Sequence, residues 1–285
     1  MQDRLLAWYR ESGRDLPWRH TRDPYHILVA EVMLQQTQVD RVLPKYAQWL
    51  GAFPTLAALA AAPTAEVIRL WAPLGYNSRA VRLQQIARQC QGSLPATFEG
   101  LLALKGIGRY TAGAVACYAY EQQVTFWDTN VRRTLTRLFS GPEPLTEREL
   151  EALAEEVLPA GQAYDWHQAL MDLGATVCLS RGPRCDRCPA MDLCAAHPAI
   201  LFGEPRTRMV AERKAPYRAQ PFETTDRYFR GRIVDALRAE SPLAVSRLPG
   251  LLGRDEPDWL QRLLATLQKD GLLVRQAVDW IALPI

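Results

Sequence analysis

Apolar residues recur at helical spacing along most of the first two hundred positions. The spacing predicts helices over Tyr25–Leu34, Thr64–Leu70, Ala80–Cys90, Tyr110–Tyr120, Glu147–Val157 and Tyr164–Val177. Pro17, Pro24, Pro54, Pro63, Gly75, Pro95, Pro142 and Pro159 punctuate them. No clear two-residue alternation occurs before the C-terminus, so this region is expected to be all-α. The pattern breaks down from Pro198 to Thr225, a Pro- and Arg-rich stretch read as a basic linker over 201–222. Helical spacing returns over Asp226–Ala239, in a shorter helix within Ser241–Leu252, and over Asp258–Lys269, where Leu260, Leu263, Leu264 and Leu267 share a face. Gly271 stops that helix, and LLVRQAVDWIALP has the make-up of a two-stranded hairpin. Three helices and a hairpin are the order of a winged helix over 223–285. An amphipathic tail packed on the main domain is the other reading.

Composition adds little to this picture. The chain has 285 residues, 48% of them hydrophobic and 23% charged, with a net charge of +3. Those values suit a soluble protein with room for two compact domains or one large one. The basic balance permits an anionic partner without demanding one. No segment resembles a signal peptide and no apolar run is long enough for a bilayer, so a cytoplasmic protein without a membrane partner is expected.

The six cysteines change the picture more. Cys178, Cys185, Cys188 and Cys194 fall within seventeen residues at spacing C-x6-C-x2-C-x5-C. In a reducing compartment this points to metal chemistry rather than disulfides. Four thiolates suit a tetrahedral zinc or a [4Fe–4S] cluster. Zinc sites usually present two C-x2-C knuckles, and only one such pair, Cys185 and Cys188, exists here. The unequal arms favour the cubane, with a structural, DNA-positioning role. Arg181, Arg184 and Arg187 on the same loop form a candidate phosphate-facing surface. Cys90 and Cys117 lie in apolar helical contexts and read as core.

Leu104-Lys105-Gly106-Ile107-Gly108 joins two helix-like segments. Its glycines allow a sharp turn and close approach of backbone to a ligand, and the N–H groups opening the next helix can dock a phosphate. By itself a G-x-G is a weak signal. Twenty residues on, Asp128 follows the apolar VTFW and opens another helix-like segment, so it reads as an N-cap. A helix N-terminus keeps a carboxylate ionised, which is what a developing sugar cation needs nearby. Glu31, in contrast, is the only polar residue in ILVAEVML. That context argues for partial burial and a raised pKa, hence a carboxylic acid able to protonate a leaving group. Two carboxylates in such unlike surroundings divide the work as acid and electrostatic stabiliser, as in sugar-bond hydrolysis.

With these residues in place, PWR at 17–19, EVMLQQTQV at 31–39, LGYNSRA at 74–80, GIGRYTAGA at 106–114, DTNV at 128–131 and MDLGATVC before the cysteine loop resemble the MutY family of adenine-DNA glycosylases. This family belongs to the helix-hairpin-helix superfamily, and the likeness covers about residues 1–200. It implies an all-α, two-lobed fold: a six-helix barrel over 22–132, and an iron–sulfur lobe from 1–21 and 133–200. By motif position Glu31 would protonate adenine N7 and Asp128 would stabilise or trap the C1′ cation, supported by Asn130 and Tyr110. Arg19 and Gln168 would contact the flipped base, and Gln36 and Tyr76 would wedge into the stack near the opposing base. Bifunctional relatives carry a lysine after the G-x-G-R of the hairpin. Here that position is Tyr110, so base removal without strand cleavage is expected. Lys105 stands where relatives often have proline and is expected to face phosphate.

The implied partner is duplex DNA carrying a mismatch or an oxidised guanine, bound by a monomer. Three departures qualify the resemblance. Asn77 replaces a frequent second tyrosine, Thr129 replaces a common glycine, and the family's usual Nudix-like domain, which helps recognise 8-oxoguanine, has no evident counterpart in the about sixty residues after the linker. The tail is instead expected to add phosphate contacts that do not discriminate between substrates. Two alternatives stand beside this reading. One is a thymine glycosylase acting on T·G mismatches, against which QQT at 35–37 argues. The other is a non-catalytic DNA-binding or redox-sensing iron–sulfur protein, which would need neither Glu31 nor Asp128.

Overall fold

A computed structural model describes residues 1–90, 92–202, 221–277 and 279–285. The helices are α1 (Gln2–Ser12), α2 (Pro24–Leu34), α3 (Val39–Ala52), α4 (Leu56–Ala61), α5 (Thr64–Trp71), α6 (Ser78–Gln89), α7 (Phe98–Leu102), α8 (Arg109–Tyr120), α9 (Thr129–Leu135), α10 (Glu147–Glu156), α11 (Ala163–Thr176) and α12 (His197–Leu201). They are followed by α13 (Asp226–Ala239), α14 (Leu248–Leu252) and α15 (Pro257–Lys269). Among the described residues no strand precedes Leu243, as the hydrophobic pattern anticipated. The helices expected over the first two hundred residues are present, each end within two residues of its expected position. The sequence reading passed over α3, whose interior Pro44 reads locally as a breaker although Val42, Tyr46 and Trp49 bury one face. Most of the expected linker lies outside the described residues, and its N-terminal end is helical in α12.

The chain divides into two compact units. The first holds Met1–Ile27, Ala96–Ala103 and Ile107–Pro216, and the second Leu28–Pro95, Leu104–Gly106 and Tyr217–Ile285.

In the first unit, Leu5 and Leu6 of α1 pack with Val131 and Leu135 of α9, Leu150 of α10 and Trp166, Leu170 and Leu173 of α11. Cys178, Cys188 and Cys194 lie against this same cluster. The turns after α9 form a π-type segment, Thr136–Ser140. Its carbonyls at Arg137 and Leu138 accept from the N–H groups of Ala196 and Ala195 at 2.9 and 3.0 Å, which pins the end of the cysteine loop.

In the second unit, Trp49 and Trp71 meet edge to face with centroids 5.4 Å apart. A second apolar cluster joins Ile68 of α5 and Val81 of α6 to Phe229, Ile233, Val234 and Leu237 of α13, Leu248 of α14 and Leu260, Leu263, Leu264 and Leu267 of α15. The order α13–β1–α14–α15–β2–β3 is that of a winged helix, with β1 (Leu243–Ala244), β2 (Val274–Ala277) and β3 (Trp280–Ala282). The expected two-stranded hairpin is a three-stranded antiparallel sheet in the order β1-β3-β2, with Leu243 and Arg275 both opposite Ile281. The expected helix within Ser241–Leu252 is correspondingly shorter, because Leu243–Ala244 is drawn into that sheet. Both tail readings hold together here: the segment has a winged-helix order and also shares its core with α5 and α6.

Candidate active site and DNA-contact residues

Asp128 caps α9, as its position after VTFW suggested. Its Oδ1 accepts from the backbone N–H groups of Asn130 and Val131, both at 2.8 Å, and its Oδ2 accepts from Asn130 Nδ2 at 3.1 Å. These bonds fix the Asp128 side chain at the positive end of the helix. Asn130 in turn accepts at Oδ1 from Arg133 Nη2 at 2.9 Å. Arg133 donates onward to the carbonyls of Gly174 (2.7 Å) and Cys178 (2.8 Å). A continuous hydrogen-bonded path therefore runs from the Asp128 carboxylate to the backbone of the first cysteine. Sequence reasoning found the two ends of this path and missed Arg133, whose place one turn after Asn130 was the available signal.

Tyr110 lies in the first turn of α8, its ring 5.7 Å from that of Phe126 and edge-on to it. Phe126 also stacks on His167 at 3.9 Å. Gly113 of α8 is required here, since a Cβ would fall 2.6 Å from the Phe126 Cβ. Gln168 follows His167 on α11 and is 6% exposed. Arg19 is fixed by a bidentate pair with Asp172, Nη1 to Oδ2 at 2.8 Å and Nη2 to Oδ1 at 2.7 Å, and it also donates to the Arg14 carbonyl. Burial by itself pushes the Asp172 carboxyl up, but its hydrogen bonds and charge contacts with Arg19 and Arg14 outweigh that and hold it below the usual range. Both Arg19 Nη atoms are thus committed to structure, while its buried Nε has no acceptor among the described residues.

In the second unit, Glu31 lies on α2, 6% exposed among the buried Val29, Ala30, Val32 and Met33. This burial was legible in the run ILVAEVML. Gln36 and Tyr76 share an uncommon property. With Glu121 they are the described non-glycine residues at positive φ, at 56° and 43°. Side chains rarely adopt this conformation without support from outside the turn. The support is Arg79, which the sequence reading did not single out. It is 5% exposed, and its guanidinium donates to the carbonyls of Val32 (2.9 Å), Met33 (3.0 Å) and Gly75 (3.2 Å) and to Thr37 Oγ1 (3.1 Å). One buried cation thus holds both turns. Burial draws its pKa down to about 10, which leaves it charged at neutral pH.

Lys105 and Gly106 are exposed in the hairpin. Gln89 clamps the Lys105 backbone, accepting its N–H at 3.3 Å and donating to its carbonyl at 3.5 Å. Gly106 has φ 103°, and a Cβ there would meet Arg82 Cγ at 2.7 Å. Gly108 differs from the expected pair of turn glycines. Its φ of −94° is ordinary and the space beside it is open. It is the N-cap residue of α8 and, being glycine, offers that helix no side-chain hydrogen bond.

The four loop cysteines line one cavity with Arg137, Leu138, Val177 and Met191 among its other walls. Arg137 Nη1 donates to Cys178 Sγ at 3.4 Å and to the Leu179 carbonyl at 2.7 Å. Burial, reinforced by the neighbouring thiols, pushes the Cys188 thiol up to about 11. Among the described residues no group of three or more His, Cys, Asp or Glu stands close enough to hold a metal ion. Arg181, Arg184 and Arg187 are all exposed. Cys117 is fully buried, whereas Cys90, at the end of α6, is only half-buried.

Residues 29–160 match the model of the HhH-GPD superfamily of base excision DNA repair proteins. The adenine DNA glycosylase of Mycolicibacterium smegmatis is 41% identical over 283 residues, covering 96% of this chain and 92% of that protein. The adenine DNA glycosylase of Rattus norvegicus is 43% identical over 216 residues, which is 70% of this chain and 42% of that one. Among solved structures, a thermostable thymine-DNA glycosylase matches with TM-score 0.65 and 31% identity over 69% of this chain and 94% of its own. The mycobacterial likeness thus extends through the winged-helix tail, and the rat and thymine-glycosylase likenesses cover about two thirds of the chain. At 41% identity over nearly all of both chains, the chain belongs to the adenine DNA glycosylase family.

Proposed function

We propose that this protein excises adenine from mismatches with guanine or 8-oxoguanine by hydrolysing the N-glycosidic bond of an extruded nucleotide. The observation that carries the reading is the contrast between two carboxylates. Asp128 accepts three hydrogen bonds at a helix N-terminus, and Glu31 is buried in an apolar run of α2. Extrusion costs least where the pair is already weak, which favours a mismatch. Glu31 donates its proton to adenine N7, drawing electrons from the C1′–N9 bond. As that bond breaks, Asp128 stabilises the positive charge on the sugar. Water then adds its oxygen to C1′ and gives up a proton to the glutamate, leaving free adenine and an abasic site. Tyr110 supplies no amine, so no Schiff base forms and the strand stays whole. Arg19 Nε, a buried donor with no acceptor among the described residues, and the Gln168 amide hold the base. Lys105 and the N-terminus of α8 hold phosphate. Full-length likeness to adenine enzymes favours adenine over thymine as substrate.

The cysteine cavity fits a [4Fe–4S] cluster in its chemistry. All four loop cysteines line it, and Arg137 Nε, on its wall, is buried without an acceptor among the described residues. Cys178, Cys185, Cys188 and Cys194 would hold the irons, and the cluster would tie the loop to the first unit's core. Protein purified without oxygen should be brown, with about four irons per chain. Stoichiometric zinc would contradict the assignment.

The function is tested with a panel of duplexes carrying single mismatches, incubated with protein and then treated with alkali. Alkali-dependent breaks at adenine opposite guanine and 8-oxoguanine are expected. Breaks at thymine opposite guanine, or breaks made without alkali, would overturn it.

A further inference from the structure

A groove of about 560 Å³ in the second unit runs between the turn at 75–78 and α13. Tyr76, Arg227, Tyr228, Arg230 and Arg232 are among its walls. The Arg227 guanidinium lies over the Tyr76 ring, 3.7 Å from its centroid, and Arg79 approaches the same ring at 5.4 Å. Arg230 and Arg232 are already engaged, by Asp270 and by the Leu251 carbonyl. Arg227 is exposed and has no ion pair or hydrogen bond among the described residues. The tail is also tied to the turn by Arg238, which donates to Asn77 Oδ1 at 2.8 Å and to the Ile68 carbonyl at 3.1 Å. Asn77, a departure from the family pattern, therefore has a job in this chain: it anchors α13 beside Tyr76.

Asp235, also on the groove's wall, is already paired with Arg238 at 2.6 Å, so the two cations on one aromatic ring make a platform for an anionic, planar ligand. An unpaired nucleotide has both properties, and an arginine fork matches the O6 and N7 acceptors of guanine. Resting on the glycosylase reading above, we propose that this groove holds the base left unpaired when adenine is extruded, and that Arg227 reads its edge. The winged-helix tail then contributes to substrate choice and does more than add uniform affinity.

The test compares wild type, Arg227→Ala and Arg227→Lys on two duplexes of one sequence, with adenine opposite guanine or opposite a tetrahydrofuran abasic analogue. Single-turnover release and equilibrium binding are both measured. Arg227→Ala should lose about tenfold more on the guanine duplex than on the analogue. Arg227→Lys should recover overall affinity but not this selectivity, because an ammonium lacks the planar fork. Since Arg227 is exposed, both variants should keep the wild-type melting temperature. Equal losses on the two duplexes, with the salt dependence lowered by about one unit of slope, would make Arg227 a phosphate contact and overturn the proposal. No loss on either would do the same. If wild type releases no adenine at all, the glycosylase reading falls, and selective loss of binding to the guanine duplex would still support the groove.

Discussion

Asp128 has two tasks that one substitution can separate. As an N-cap it accepts hydrogen bonds, and asparagine caps nearly as well. As an electrostatic partner of a sugar cation it must carry charge. Asp128→Asn should therefore keep the wild-type melting temperature while slowing adenine release by about a hundredfold or more. A slow variant that also melts early would assign Asp128 to structure alone. Arg79 is the opposite case, with no expected contact to the reacting atoms. Arg79→Met strands several buried carbonyls, so a loss of about 3 kcal/mol in urea unfolding is expected. Duplex binding should weaken with it, as the left-handed turns at Gln36 and Tyr76 relax. A loss below about 1 kcal/mol would mean that those turns hold themselves. The sequence made the carboxylates legible because each has a local cause: an apolar run around Glu31, a helix start after Asp128. Arg79 and Arg133 were not legible, since their carbonyl partners lie up to about four dozen residues away in sequence.

At the scale of elements, the same division between local and distant causes applies. Helices with an uninterrupted apolar face were found within a residue or two of their ends. α3 was lost to Pro44, although Val42, Tyr46 and Trp49 mark its buried side. In the tail, β1 owes its extended form to pairing with β3, nearly forty residues later, and nothing near Leu243 announces that partner. The tail's packing on Ile68 and Val81 was equally invisible, because α13 and α15 display a sufficient apolar face of their own. This shared core makes deletion of the tail an unsuitable probe of its role, as it would uncover α5 and α6. A single-residue change is cleaner. Leu264, fully buried on α15, should cost about 2–5 kcal/mol when replaced by alanine. Amide exchange should then accelerate in α5 and α6 together with α13. Acceleration confined to α13–α15 would mean that the tail unfolds by itself.

For the molecule as a whole, acid stability turns on His167. Burial pulls its imidazole down to about 4, against a smaller opposing effect of its 2.9 Å contact with the Val124 carbonyl. Between that value and the ordinary 6.5 the unfolded chain binds a proton that the folded protein refuses. Stability is therefore full above about pH 6.5 and declines as pH falls toward 4, by about 3 kcal/mol at most from this residue. Urea unfolding of wild type and His167→Gln at pH 7 and pH 5 should show the variant losing less on acidification. Equal losses would place the acid sensitivity elsewhere.

The catalytic account stands or falls on Glu31 as the proton donor. Glu31→Gln keeps the size of the side chain and removes the acid, so duplex affinity should persist while chemistry stops. The decisive measurement is the single-turnover rate of adenine release by Glu31→Gln on a duplex with adenine opposite 8-oxoguanine, with binding to the same duplex recorded alongside. The account predicts binding close to wild type and a rate below about one hundredth of it. A variant that binds normally and keeps about a tenth or more of the rate would show that the proton comes from another group.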